Sequence, residues 1–206
     1  MNERVGLFGG SFDPIHFGHL ISARSLAERL GFSRVVLIPC GRPPYKENVR
    51  LTSAEHRLAM VRLAVEGDPL FETSDLELQR EGPSYTFDTV DEFRRRLGDS
   101  VDLFWLIGGD WLPELTTWYR VAELVHQVTI VTATRPGWTP PDEGMLAEVV
   151  GSEAARKLLS NCYLTPAIDI SSTDNRARIA AGRSIRYLAP ERVRSYIEQH
   201  RLYVSS

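Results

Sequence analysis

Short apolar runs alternate along this chain with longer stretches of helical periodicity, and that rhythm constrains the fold more than any other feature. The runs lie at 4–9 (RVGLFG), 34–39 (RVVLIP), 70–78 (LFETSDLEL), 101–108 (VDLFWLIG), 127–134 (QVTIVTAT) and 162–166 (CYLTP). Most are rich in β-branched or aromatic residues, as strands buried on both faces are. Between them the period changes to that of a helix at 17–30, closed by Gly31, at 53–66, entered through Thr52 or Ser53, and at 86–97, ended by Gly98. Strands and helices in this order bury both kinds of apolar surface by laying the strands in parallel with the helices on both faces. The expected fold is therefore α/β, a doubly wound, mostly parallel sheet. The region 142–160 reads as one or two helices, and the tail as two more, in SSTDNRARIAAG and APERVRSYIEQH, joined through Pro190. A chain of 206 residues, 43% hydrophobic, suffices for one core, so 1–206 is expected to be a single domain.

Charge and composition narrow the partners. The net charge is −3 with Lys and Arg scattered among Asp and Glu, so no basic stripe points to nucleic acid. No stretch approaches the ~20 apolar residues that span a bilayer, and the chain reads as cytoplasmic. Cys40 and Cys162 lack metal-type spacing and are expected to be reduced thiols without chemistry. A homo-oligomer is compatible with these patterns.

The stretch GGSFDPIHFGHL, residues 9–20, follows a strand and opens a helix, where an open α/β sheet presents its ligand crevice. It is neither the dinucleotide fingerprint nor a P-loop. His16 and His19 stand at i and i+3, so both imidazoles face one side of the helix start, beside backbone N–H groups that favour anions. Gly18, without a side chain, lets a phosphate approach. This pattern suits a phosphoryl group under attack, stabilised by positioned donors. Two other readings stand beside it: a metal site of Asp13, His16 and His19, and a pair of structural histidines at a helix cap. The loop 40–51 (CGRPPYKENVRL) is long enough to carry function.

HFGH resembles the H-x-G-H signature of the nucleotidyltransferase superfamily, and ISSTDNR at 170–176 resembles its second signature. In the latter, Ser171, Ser172 and Thr173 open a helix whose free N–H groups can hold phosphate, with Arg176 one turn in, although Ser and Thr there also suit an ordinary N-cap. Further segments, RPPYK, EGPSYTFDTV, IGGDWLPELTTWYR, TRPG and SIRYLAPERVRSYIEQHRLY, extend the likeness over nearly the whole chain to bacterial nicotinate-mononucleotide adenylyltransferases. The resemblance implies a Rossmann-like fold with a helical C-terminal segment and the second phosphate motif in 170–206. It also implies transfer of AMP from ATP to nicotinate mononucleotide, with Mg²⁺ carried mainly by ATP rather than by a protein metal site. It assigns His16, His19, Lys46 and Arg176 to catalysis. Gly9, Gly10, Ser11, Phe12, Gly108, Asp110, Ser172 and Thr173 fall to ATP, and Lys46, Thr86, Trp118, Tyr119 and Arg135 to the mononucleotide. Trp118 would stack on the nicotinate ring, and backbone amides near Thr86 and Tyr119 would hold its carboxylate.

Two positions depart from the family pattern: Tyr45 stands where a histidine precedes the loop lysine, and Asn175 replaces an isoleucine of the second signature. His56, His126 and His200 match nothing with chemical logic and are expected to be structural or surface residues. Rival readings are the same transfer to nicotinamide mononucleotide or phosphopantetheine, and a non-catalytic nucleotide-binding module. His16 counts against phosphopantetheine, since that branch carries threonine there.

Overall fold

The structure is a computed structural model that describes residues 2–44 and 51–204, so the expectations for Tyr45 and Lys46 lie outside the described residues. The strands are β1 (Glu3–Gly10), β2 (Arg34–Pro39), β3 (Phe71–Thr73), β4 (Val101–Gly108), β5 (Thr129–Thr134) and β6 (Cys162–Leu164). The helices are α1 (Phe17–Leu30), α2 (Ala54–Val65), α3 (Leu76–Gln79), α4 (Thr86–Leu97), α5 (Trp111–Glu114), α6 (Val121–Gln127), α7 (Glu143–Val150), α8 (Ser152–Ser160), α9 (Ser172–Ala180) and α10 (Glu191–Gln199), with a 3₁₀ turn at Leu115–Thr117.

All six strands pair in parallel, in the order β3-β2-β1-β4-β5-β6. The chain grows outward from β1 to β3, then returns to lay β4 on the other side of β1. A crevice therefore opens past the carboxyl ends of β1 and β4, where the winding reverses. Side chains alternate between two cores. Val36, Ile38, Leu103 and Trp105 join one with Phe87, Val90 and Leu124 of α4 and α6, and Val35, Leu37, Phe104 and Leu106 join the other with Leu26, Met60 and Val193 of α1, α2 and α10. This two-faced burial is why the runs read as continuous apolar strands. Close packing explains two glycines of β1: a Cβ on Gly6 would sit 2.9 Å from the Phe32 ring, and one on Gly9 would sit 2.6 Å from that of Trp105.

Helix limits follow the predicted punctuation. Gly31 takes the left-handed conformation (φ 66°) that stops α1, and Ser53, rather than Thr52, caps α2 by accepting the His56 N–H. The region 142–160 splits into α7 and α8 at Gly151, whose φ is 84°. Three expectations are corrected. The strand at 70–78 ends at Thr73 and gives way to α3, because the Ser74 hydroxyl accepts the Leu76 N–H and the Asp75 carbonyl accepts those of Leu78 and Gln79, closing a helical turn instead of a ladder. The strand at 162–166 stops at Leu164. The crossover from β4 to β5, for which no helix was expected, holds α5, the 3₁₀ turn and α6, whose short apolar stripes pack on the sheet through Leu112, Leu115 and Leu124.

Candidate active site

A cavity of about 670 Å³ occupies the crevice past β1 and β4. Its walls combine Gly9, Gly10, Ser11 and Phe12 after β1, His16, Gly18 and His19 at the start of α1, and Gly108 and Asp110 after β4. Thr86, Trp118 and Arg135 line it from the other side, and Ser172, Thr173 and Arg176 from the start of α9. The cavity thus gathers both signature segments, although they are far apart in sequence.

The helix starts explain the convergence. His16 is the N-cap of α1 in extended conformation, and Phe17 donates its N–H to the Leu188 carbonyl at 3.0 Å. The His19 N–H turns back to the His16 carbonyl at 3.1 Å, which leaves Gly18 with the open N–H of the first turn. A Cβ on Gly18 would meet the His16 ring at 3.0 Å and the Ile170 carbonyl at 3.2 Å. A side chain there would press on the His16 ring and on the segment before α9, which favours glycine in addition to the expected room for a ligand. At α9, Ser171 is the N-cap and accepts the Asp174 N–H at 3.0 Å, so the ordinary-cap reading holds for Ser171. Ser172 and Thr173, the first two helical positions, keep their N–H groups for a ligand. The start of α9 is stitched to the loop after β1: the Ser172 hydroxyl donates to the Pro14 carbonyl at 2.9 Å and the Arg176 guanidinium to the Asp13 carbonyl at 2.7 Å.

The two imidazoles stack with centroids 3.8 Å apart. The His16 backbone N–H donates to His19 Nδ1 at 3.3 Å, which places the His19 proton on Nε2 and keeps that ring neutral. Burial, then the Arg135 guanidinium, push the His16 pKa down from 6.5 to about 4; burial, then the neighbouring His16 ring, hold that of His19 well below the usual histidine range. Both are uncharged at neutral pH, poised to donate one N–H each. His16 Nδ1 is buried without a partner among the described residues, and so is Trp118 Nε1.

A metal cage of Asp13, His16 and His19 is not formed. The carboxylate of Asp13 accepts the Tyr203 hydroxyl at 2.5 Å and the Thr52 N–H at 3.2 Å, His19 Nδ1 is taken by backbone, and among the described residues no three His, Cys, Asp or Glu side chains gather as a metal site. Asp110 is exposed at the cavity wall, with no side-chain hydrogen bond or ion pair among the described residues. The Tyr119 ring lies tilted against Tyr85 at 4.4 Å, off the cavity wall and beside Trp118. Thr86 opens α4, whose first N–H groups have no helical partner. Arg135 faces Asp169 at 3.7 Å on the rim. His56 pairs with Tyr196 at 2.9 Å on the α2–α10 side, away from the cavity, as expected of a structural residue.

Two residues at the site were not found from sequence. Arg57 of α2 is 2% exposed and donates to the Ser11, Cys40 and Thr52 carbonyls at 2.9, 2.7 and 2.9 Å. Glu77 of α3 lines the cavity at 3% exposure. A charged residue inside an apolar helical face was the available signal for Arg57; Glu77 was hidden by the strand reading of its segment.

A parallel sheet of this order, with paired neutral histidines and two helix starts aimed at one crevice, is the architecture of a nucleotidyltransferase, and residues 7–178 match the cytidylyltransferase-like family. Relatives named "probable nicotinate-nucleotide adenylyltransferase" are 39% identical in Thermoanaerobacter sp. (strain X514), over 97% of this chain and 94% of the relative, and 40% identical in Moorella thermoacetica, over 97% and 91%. The chain belongs to the nicotinate-nucleotide adenylyltransferase family. The solved structure of Plasmodium falciparum nicotinic acid mononucleotide adenylyltransferase complexed with NaAD shares the fold, with a TM-score of 0.77 at 20% identity over 98% of this chain and 97% of that one.

Proposed function

We propose that the chain transfers the adenylyl group of ATP to nicotinate mononucleotide, releasing pyrophosphate and forming nicotinate adenine dinucleotide, a step of NAD biosynthesis. The observation that carries this reading is the convergence of the His16–His19 pair and the open N–H groups of α1 and α9 on one cavity. An acceptor phosphate oxygen attacks the α-phosphorus of ATP as the bond from that phosphorus to the β-bridging oxygen breaks, and the electron pair leaves with pyrophosphate. Charge gathers on the non-bridging and leaving oxygens, where His16, His19 Nε2–H, the Gly18 N–H and Arg176 supply fixed donors. No side-chain nucleophile is needed. Ser172 and Thr173 offer N–H groups to the triphosphate, and Gly9 to Phe12, with Gly108, shape the nucleotide floor. Lys46, which lies outside the described residues, is assigned to phosphate from the family pattern alone.

The wall across the crevice suits the acceptor. Trp118 offers a ring for stacking, the α4 start offers N–H groups near Thr86 to a carboxylate, and Arg135 offers charge to the mononucleotide phosphate. Tyr119 contributes through its backbone position next to Trp118. Magnesium would arrive on ATP and neutralise its phosphate oxygens; Asp110, the uncommitted carboxylate of the wall, suits a hard cation directly or through water. Ser172 and Arg176 bond back to Pro14 and Asp13, which supports reading 1–206 as one working unit. No helix among the described residues is long and apolar enough to cross a membrane. The acidic charge balance, and the absence of a disulfide between Cys40 and Cys162, support a reducing, cytoplasmic setting. Pyrophosphate release measured with ATP and each of nicotinate mononucleotide, nicotinamide mononucleotide and phosphopantetheine tests the reading. Turnover with the first is expected to exceed the others; release with none overturns it.

A further inference from the structure

The loop leaving β2 meets the turn before α4 through two successive peptides, Cys40–Gly41 and Gly41–Arg42, whose carbonyls face Arg57 and whose N–H groups face Ser84. The Gly41 carbonyl faces Arg57 Nη2 at 3.5 Å, while its N–H donates to the Ser84 hydroxyl at 2.9 Å. The Arg42 N–H donates to the same hydroxyl at 3.2 Å, so both acceptor positions of Ser84 are filled and its single proton is left on the side of the Glu77 carboxylate, whose charged form the hydroxyl favours. The Thr89 hydroxyl donates to Glu77 Oε1 at 2.7 Å and accepts from Arg80 at 3.1 Å. Gly41 admits no side chain, since a Cβ would lie 2.4 Å from the Glu77 backbone carbonyl. A buried cation and a buried carboxylate thus flank the same two peptides and the Ser84 hydroxyl, and burial makes the hydrogen bonds there stronger than in water. One flank holds Ser11 on the ATP side, and the other holds the turn that opens α4 at Thr86.

We propose that Arg57, Gly41, Ser84 and Glu77 form a buried relay that sets the spacing between the ATP half and the mononucleotide half of the cavity, with Glu77 as a positioning residue for the acceptor. The inference rests on the adenylyl-transfer reading. Glutamine at 77 keeps the shape and can keep an oxygen on Thr89, but it then turns an NH₂ group toward Ser84, whose lone pairs are both taken, so it loosens the turn while leaving Ser11 anchored by Arg57. The charged and titratable partners facing Glu77 are the Ser84 and Thr89 hydroxyls, Arg80 and Arg57, and burial outweighs their pull, raising its pKa from 4.5 to about 7. The relay is complete when Glu77 is ionised.

Steady-state kinetics with ATP and nicotinate mononucleotide on the unmutated protein, Glu77→Gln and Ser84→Ala test this. Losing one hydrogen bond to a charged group predicts a rise of roughly tenfold in KM for the mononucleotide, with KM for ATP changed by less than about twofold. In the unmutated protein, KM for the mononucleotide is expected to fall as pH rises through about 7, and Glu77→Gln is expected to flatten that dependence. Unchanged mononucleotide KM in both variants, or equal rises for both substrates, overturns the relay. Ser84→Ala, with its small truncation, carries the test if Glu77→Gln does not fold. No turnover by the unmutated protein would instead strike the adenylyl-transfer reading.

Discussion

Replacing Asn175 by isoleucine, the residue of the family pattern, is expected to stabilise the protein. Asn175 lies in α9 with no solvent exposure, and neither its Oδ1 nor its Nδ2 has a partner among the described residues. An unsatisfied buried amide costs about 1–3 kcal/mol, and a hydrocarbon replacement removes that cost and adds apolar burial. Against this stand a few tenths of a kcal/mol for a β-branched residue in a helix and an overpacking penalty if the pocket cannot give. A net gain of about 1–3 kcal/mol corresponds to a rise in Tm of roughly 2–12 °C for a chain of this size. Activity is expected to be unchanged, because Asn175 does not line the cavity. Calorimetry and urea melts on Asn175→Ile, with Asn175→Val as the less bulky control, read this out as a shift in midpoint at constant m. A lower Tm for both variants would refute the reasoning and show that the amide has a polar partner, such as a buried water.

His16→Ala and His19→Ala are each expected to lower kcat roughly a hundredfold to a thousandfold, with ATP binding by calorimetry changed far less, since each removes a donor of the transition state; near-normal turnover in either variant removes that residue from catalysis. Nicotinate mononucleotide is expected to be preferred over the amide by about a hundredfold in kcat/KM, because the amide loses both the charge and an acceptor for the α4 N–H groups; Trp118→Ala should weaken both acceptors together, and a changed ratio in parallel kinetics would count against stacking as a common term. Stability should depend on pH in two opposing ways. Unfolded His16 binds its proton near pH 6.5 and the folded residue only near 4, so its contribution is lost as pH falls across that window, on the order of 3 kcal/mol in all. Folded Glu77 binds its proton near 7 and the unfolded residue near 4.5, so its contribution is lost as pH rises across that window, by a similar order of magnitude. Glu77→Gln should therefore gain stability relative to the unmutated protein as pH rises from 4.5 to 7 in urea melts, and a constant difference would show that Glu77 is not buried as described.

By itself the sequence determined the order of the six strands, the longer helices and the parallel sheet, because these rest on local signals: apolar period, glycine stops and helix-opening residues. His16 and His19 were legible from their place at a helix start, whereas Ser172 and Arg176 were picked out by the resemblance of ISSTDNR to the family's second signature. Short range also misled: LFETSDLEL has an alternation that suits a strand, but the Ser74 hydroxyl and the Asp75 carbonyl begin a turn, and α3 is too short to show a helical period. What tertiary structure alone decided was how distant groups meet. Arg57, Gly41, Ser84 and Glu77 come from α2, a loop, a turn and α3, and nothing in their spacing announces that a buried guanidinium and a buried carboxylate flank the same two peptides. The lowered pKa of His16 likewise comes from burial under a cavity wall and from Arg135, more than a hundred residues away in sequence. Local propensity is written residue by residue, whereas desolvation and hydrogen-bond saturation depend on what the folded chain brings within a few ångströms.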